Sequence, residues 1–154
     1  MKIVAVVFLG AVAGLLAAFV MNLFMRSVAS KWGKRGDMVR ALGGFFSKDK
    51  ENAASLGTAI HGGGGLFFGA VYFVVPHLMG ALVLPYSLFL GLAFGFIHGL
   101  LMSYLLMYYA SERHPDKEYR KATMEEGVVH LFGHVIFGAV LGLIGGALGL
   151  GFGG

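Results

Sequence analysis

The stretch Gly57–Met107, GTAIHGGGGLFFGAVYFVVPHLMGALVLPYSLFLGLAFGFIHGLLMSYLLM, contains no Asp, Glu, Lys or Arg. A helix needs about 20 apolar residues to cross the hydrocarbon of a bilayer. This run is long enough for two, with a break near Pro76-His77 and Gly80–Pro85. Its apolarity is continuous rather than alternating, which argues against a membrane β-barrel.

Working outward, Ile3–Met25 and Gly127–Gly154 are equally free of charge. The first run is too long for the apolar core of a signal peptide and lacks a clean Ala-x-Ala site. The whole chain is 57% hydrophobic and 13% charged. The expected fold is an all-α integral membrane protein with four transmembrane helices, at about 3–25, 57–79, 84–108 and 127–150. These form one membrane domain, 1–154, with charged loops at about 26–56 and 109–126.

The basic residues set the expected orientation. Arg26, Lys31, Lys34, Arg35, Arg40, Lys48 and Lys50 follow the first span; Arg113, Lys117, Arg120 and Lys121 follow the third. The loop after the second span carries none. The positive-inside rule then places both charged loops in the cytoplasm and both termini outside the plasma (inner) membrane. Asp116, Glu118, Glu125 and Glu126 interrupt the basic pattern, so headgroup contact is expected and nucleic-acid binding is not.

The two halves align. A shift of 81 positions lays the first span on the third, with Phe8-Leu9-Gly10 on Phe89-Leu90-Gly91 and Gly14 on Gly95. A shift of 69 lays the second on the fourth, with His61 on His130 and Phe68–Val71 on Phe137–Val140. Two tandem hairpins in a parallel repeat are expected. Chance alignment of Gly/Ala-rich helices is the alternative, but both pairs match in the right order.

Each span carries a stripe of small residues at i, i+4 spacing, the pattern that lets membrane helices pack backbone to backbone. Histidines lie on those stripes. His61, His98, His130 and His134 all fall in the inner half of the bilayer. At about 1.5 Å per residue they lie roughly 5 to 15 Å from the loop ends of their helices. Ionisable groups at such depth mark functional sites by default.

Glu126, His130 and His134 stand at successive turns of one helix, and His61 and His98 would join them from neighbouring helices. This set suits a transition metal such as Cu, Fe or Zn. Haem b is the rival, because Gly62–Gly65, Gly95, Gly99 and Gly133 offer room for a flat macrocycle. Met21, Met25 and Met102 could supply soft ligands, and Asn22, Thr58 and Ser103 could orient the rings. The competing reading has no ligand at all, only histidines hydrogen-bonded to those polar residues or to one another. His77 and His114 read as loop-end residues.

Met38–Phe46, with Trp32, reads as an interfacial amphipathic segment on the inner leaflet, or else as a plain tether. Ser47–Glu51 reads as a solvated turn. The chain has no cysteine, and no Ser or Thr sits in a nucleophile elbow, so no enzymatic activity of the chain alone is expected.

Gly95–Met102, His114-Pro115 and His130–Gly142, together with Leu56-Gly57 and Ile60-His61, resemble a broad group of small four-helix prokaryotic membrane proteins. That group includes the YagU-like proteins. The likeness covers most of residues 56–146, with the Gly62–Gly65 run as a departure. It implies four helices and a recurrent histidine pattern, and no activity. Three functions are therefore expected to compete. The first is a membrane subunit with a metal- or haem-binding histidine cluster. The second is a non-catalytic assembly subunit of a larger membrane complex or a self-associating protein. The third is a small transporter.

Overall fold

The computed structural model describes residues 2–30, 37–47, 49 and 51–149. All regular structure among them is helical: α1 (Ile3–Ala29), α2 (Met38–Phe46), α3 (Ala53–Leu78), α4 (Tyr86–Arg113) and α5 (Met124–Ala147). A single 3-10 turn at Tyr119–Lys121 precedes α5. Four of these helices, α1, α3, α4 and α5, are long and apolar enough to cross a membrane. The protein is thus an all-α multi-pass membrane protein. Large apolar side chains such as Val4, Phe8, Phe19, Phe67, Phe89 and Phe96 cover its outer faces. In water such a surface would be untenable; in lipid it is the expected solvent contact.

The helix ends differ from the expected ones in instructive ways. α5 starts at Met124 rather than near 127, because Thr123 and Glu126 form a capping box. Two acids in its first turn also suit the positive end of the helix dipole. α4 runs on to Arg113 and stops before His114-Pro115, where proline disfavours further helix. α3 begins at Ala53, earlier than expected, after a turn in which the Asp49 carboxylate accepts from the Glu51 N–H and the Asn52 amide.

The helices assemble as two tight hairpins, α1 with α3 and α4 with α5, bridged by α1 against α5. Their inner contacts repeat residue for residue. Gly10 abuts the Gly69 backbone and Gly14 abuts Gly65; at the shifted positions, Gly91 abuts Gly138 and Gly95 abuts His134. A Cβ built at Gly65 would lie 2.9 Å from the Ala18 Cβ, and one built at Gly99 would lie 2.9 Å from the His134 Cβ. The latter pair is the shifted equivalent of the former. Both hairpins also end alike. Gly80 (φ 67°) and Gly149 (φ 63°) follow α3 and α5 in the left-handed conformation that glycine adopts without strain.

The short helix α2 has no counterpart in the second half. It crosses α3 with backbones in contact, Gly43 against Ala53 and Gly57 against Val39. Its first turn is capped by Asp37, whose carboxylate accepts the Arg40 N–H at 2.9 Å. The expected interfacial segment is therefore a helix docked on the bundle, with Val39 and Ala41 buried. Trp32, expected to belong to it, lies outside the described residues.

Candidate functional site: a histidine-lined cleft

The α3 and α4 backbones stand farther from each other than either does from its hairpin partner, and they are joined through side chains, Phe68 and Tyr72 of α3 against His98 and Phe94 of α4. The gap between them is a cleft closed at one end by α2. One chamber of about 420 Å³ is lined by Met25, Met102, His61, His130 and His134, with Leu42 and Phe45 of α2. A second, of about 250 Å³, adds His98, Phe68 and Gly64 and shares His61, His134, Met102 and Leu42 with the first. Both expectations about position hold: the four histidines face inward, and they meet.

Three of them, His98, His130 and His134, meet as packed rings, and His61 shares both chambers with His134. His98 and His134 have centroids 4.6 Å apart and His130 and His134 4.7 Å apart, each pair edge to face. His98 also lies 4.1 Å from the Phe68 ring. The repeat explains how this cluster was made. His61 and His130 are equivalent positions, whereas His98 and His134 stand where the first hairpin has Ala17 and Gly65. The bulk of His134 fits because Gly99 faces it, in place of the first hairpin's Ala18.

The ring nitrogens have distinct partners. His134 Nδ1 lies 3.0 Å from the carbonyl oxygen of His130. A carbonyl only accepts, so Nδ1 carries the hydrogen and the neutral ring holds its lone pair on Nε2. His98 Nδ1 lies 3.3 Å from the Tyr72 hydroxyl. His61 reaches the backbone of Ala18. The Nε2 of His61 and the Nδ1 of His130 are buried with no hydrogen-bond partner in the protein. Buried polar atoms left this way cost about 1–3 kcal/mol each.

Several expected roles are corrected by this geometry. Glu126 is buried, and its carboxylate accepts the backbone N–H of Thr123 and caps α5. Thr58 is exposed and donates to the Ala54 carbonyl at 2.8 Å. No hydrogen bond joins Asn22 or Ser103 to a histidine among the described residues. The orienting partner found instead is Tyr72, about three turns beyond His61 on α3. That spacing was the available signal.

Met21 and Met25 fill the α1–α5 crossing at Gly133, where Met25 Sδ lies 3.0 Å from a Cβ built there. Gly95, Gly99 and Gly133 are therefore occupied packing positions and leave no room for a macrocycle. Of the glycines expected to make space, Gly63 and Gly64 have nothing within 4 Å of an added Cβ. Among the described residues, no three His, Asp or Glu side chains are arranged to hold a metal ion.

Comparison of the chain with protein-family models, with curated proteins and with solved structures finds no match.

His114 lies at the loop end just after α4, as expected, but it is buried. Its Nδ1 accepts the Asp116 N–H at 3.0 Å, which leaves Nε2 to donate to the Ala41 carbonyl at 2.9 Å. Its ring packs edge-on to Phe45 of α2 at 4.5 Å and against Tyr119 at 4.6 Å. Burial, with Asp37, Asp116 and Glu118 nearby outweighing Arg40, pushes the Tyr119 phenol up to about 12. This second ring cluster holds α2 over the cleft.

Proposed function

We propose that the protein is a small plasma-membrane binding subunit that takes a lipid-phase ligand into the cleft between α3 and α4. The observation that carries this is the convergence of three histidines, His61, His130 and His134, on an otherwise largely apolar chamber of about 420 Å³. That size suits a small molecule, since ligand pockets run from about 300 to 1,000 Å³. Apolar walls with few convergent polar groups are the usual makeup of such pockets.

A metal ion is the second reading. It is favoured by the thioethers of Met25 and Met102, which line the same chamber as His61, His130 and His134. Thioether with neutral imidazole suits Cu(I) among the metals. Haem b would need its iron held by one of these rings and its macrocycle seated beside Gly64. A transporter is less supported, because no charged side chain lines either chamber.

Gentle purification from the native membrane, followed by solvent extraction with mass spectrometry, metal analysis and an optical spectrum, tests these readings together. The expected result is one organic molecule per chain, lost in His134→Ala with helix content intact. Stoichiometric metal, or a Soret band, moves the assignment to the second reading or to haem. Protein that carries nothing leaves an assembly subunit of a larger membrane complex.

The proposed orientation has both termini outside, with Arg40, Arg113, Lys117, Arg120 and Lys121 in the cytoplasm. A reporter fused at the C-terminus is expected to be active only outside the cell; activity in the cytoplasm reverses the orientation. The likeness of residues 56–146 to the YagU-like group is part of the same proposal, and would extend the bundle and the histidine pattern to those proteins.

A further inference from the structure

We infer that the ligand of the cleft presents a hydroxyl group, as a lipid-soluble alcohol or phenol does, and is bound through it by His134. This rests on the binding reading above and specifies its ligand.

His134 spends its only ring hydrogen on the His130 carbonyl, so its distal nitrogen offers a lone pair and nothing else. The other polar groups of the larger chamber include the Tyr109 hydroxyl and the thioethers of Met25 and Met102; the thioethers only accept, and weakly. A ketone or ether, having no hydrogen to donate, cannot satisfy His134. A carboxylate cannot either, and it would bring a charge into a chamber with no cation on its wall. A hydroxyl donates one hydrogen and accepts through the same oxygen. It can therefore give its hydrogen to the lone pair of His134 and still accept a second hydrogen bond through its oxygen.

The remainder of the ligand is apolar. Leu42, Phe45, Leu105 and Leu106 line the larger chamber. Phe68 and Phe137 line the smaller one.

The test uses a matched pair of probes, 4-nonylphenol and its methyl ether 4-nonylanisole, which differ by the loss of the donor hydrogen. Binding is measured to the full chain in lipid nanodiscs, with empty nanodiscs subtracted. The phenol is expected to bind about tenfold more tightly than the ether, the value of one hydrogen bond of ordinary strength. His134→Phe keeps a ring in the cluster and removes both nitrogens, and is expected to erase the difference. Gly64→Leu is expected to abolish phenol binding, since the new side chain meets no neighbour at its Cβ and extends from the cleft wall. Gly63→Leu, exposed and equally unobstructed, is expected to leave binding unchanged. Equal binding of the two probes that Gly64→Leu still removes overturns the hydroxyl assignment but leaves the cleft as a binding site. Binding of neither probe above empty nanodiscs overturns both.

Discussion

Leucine at Gly14, and equally at Gly95, is expected to destabilise the bundle by about 3 kcal/mol, the upper end of ordinary overpacking. At Gly14 a Cβ would run into the Gly65 carbonyl oxygen and lie 2.8 Å from the Gly69 Cα. At Gly95 it would lie 2.5 Å from the His134 carbonyl oxygen and 3.0 Å from the Val135 Cα. These obstacles are backbone, so no rotamer change relieves them and the two helices must separate. Helices in lipid associate through close packing rather than through a hydrophobic effect between them. Separation therefore forfeits most of what holds a hairpin together. Unfolding of purified protein in detergent measures the loss, with Gly63→Leu as the neutral control. If the two hairpins are repeats, the Gly14 and Gly95 variants lose similar amounts. A loss below about 1 kcal/mol at either site would mean the backbones are not in contact there.

Truncating His114 to alanine is expected to release α2 from the bundle. The variant loses a buried ring packed on Phe45 and Tyr119 and the hydrogen bond to the Ala41 carbonyl. Cavity and lost bond together come to about 3 kcal/mol, or roughly a hundredfold in the local opening equilibrium. Hydrogen exchange reads this directly. Protection of the α2 amides is expected to fall by about that factor while α4 and α5 keep theirs. His114→Gln, which keeps an N–H for Ala41, is expected to recover part of it. Gly44→Val gives an independent check, because a Cβ at Gly44 lies 3.2 Å from the His114 ring. Uniform loss of protection across all helices would instead make His114 a general core residue with no particular hold on α2.

The sequence by itself determined the class of fold, the four spans and the shared end at which the charges gather. Each depends on a local property, the length of an uncharged apolar run, which bilayer thickness converts directly into a helix. The repeat was legible for the same reason. Small residues at fixed spacing carry the register of contact, and Gly10, Gly14, Gly69, Gly91 and Gly138 appear in the bundle as the shifts of 81 and 69 require. The inward direction of His61, His98, His130 and His134 followed from their place on those stripes.

What each glycine does, and which partner each histidine finds, were decided only by the tertiary structure. Gly99 and Gly133 look as open as Gly64 in sequence, yet the first two are filled by His134 and by Met25 and Met21. The difference is set by which helix crosses at each point. Glu126 has a ligand's spacing from His130, but the free end of α5 claims it as a cap. His114 sits beside a proline like any loop residue, and only the return of α2 across α3 buries it. The cleft has the same origin. It exists because two tight hairpins are bridged through α1 and α5 while the α3 and α4 backbones are spaced by the side chains between them, an arrangement between elements distant in the chain that no local pattern encodes.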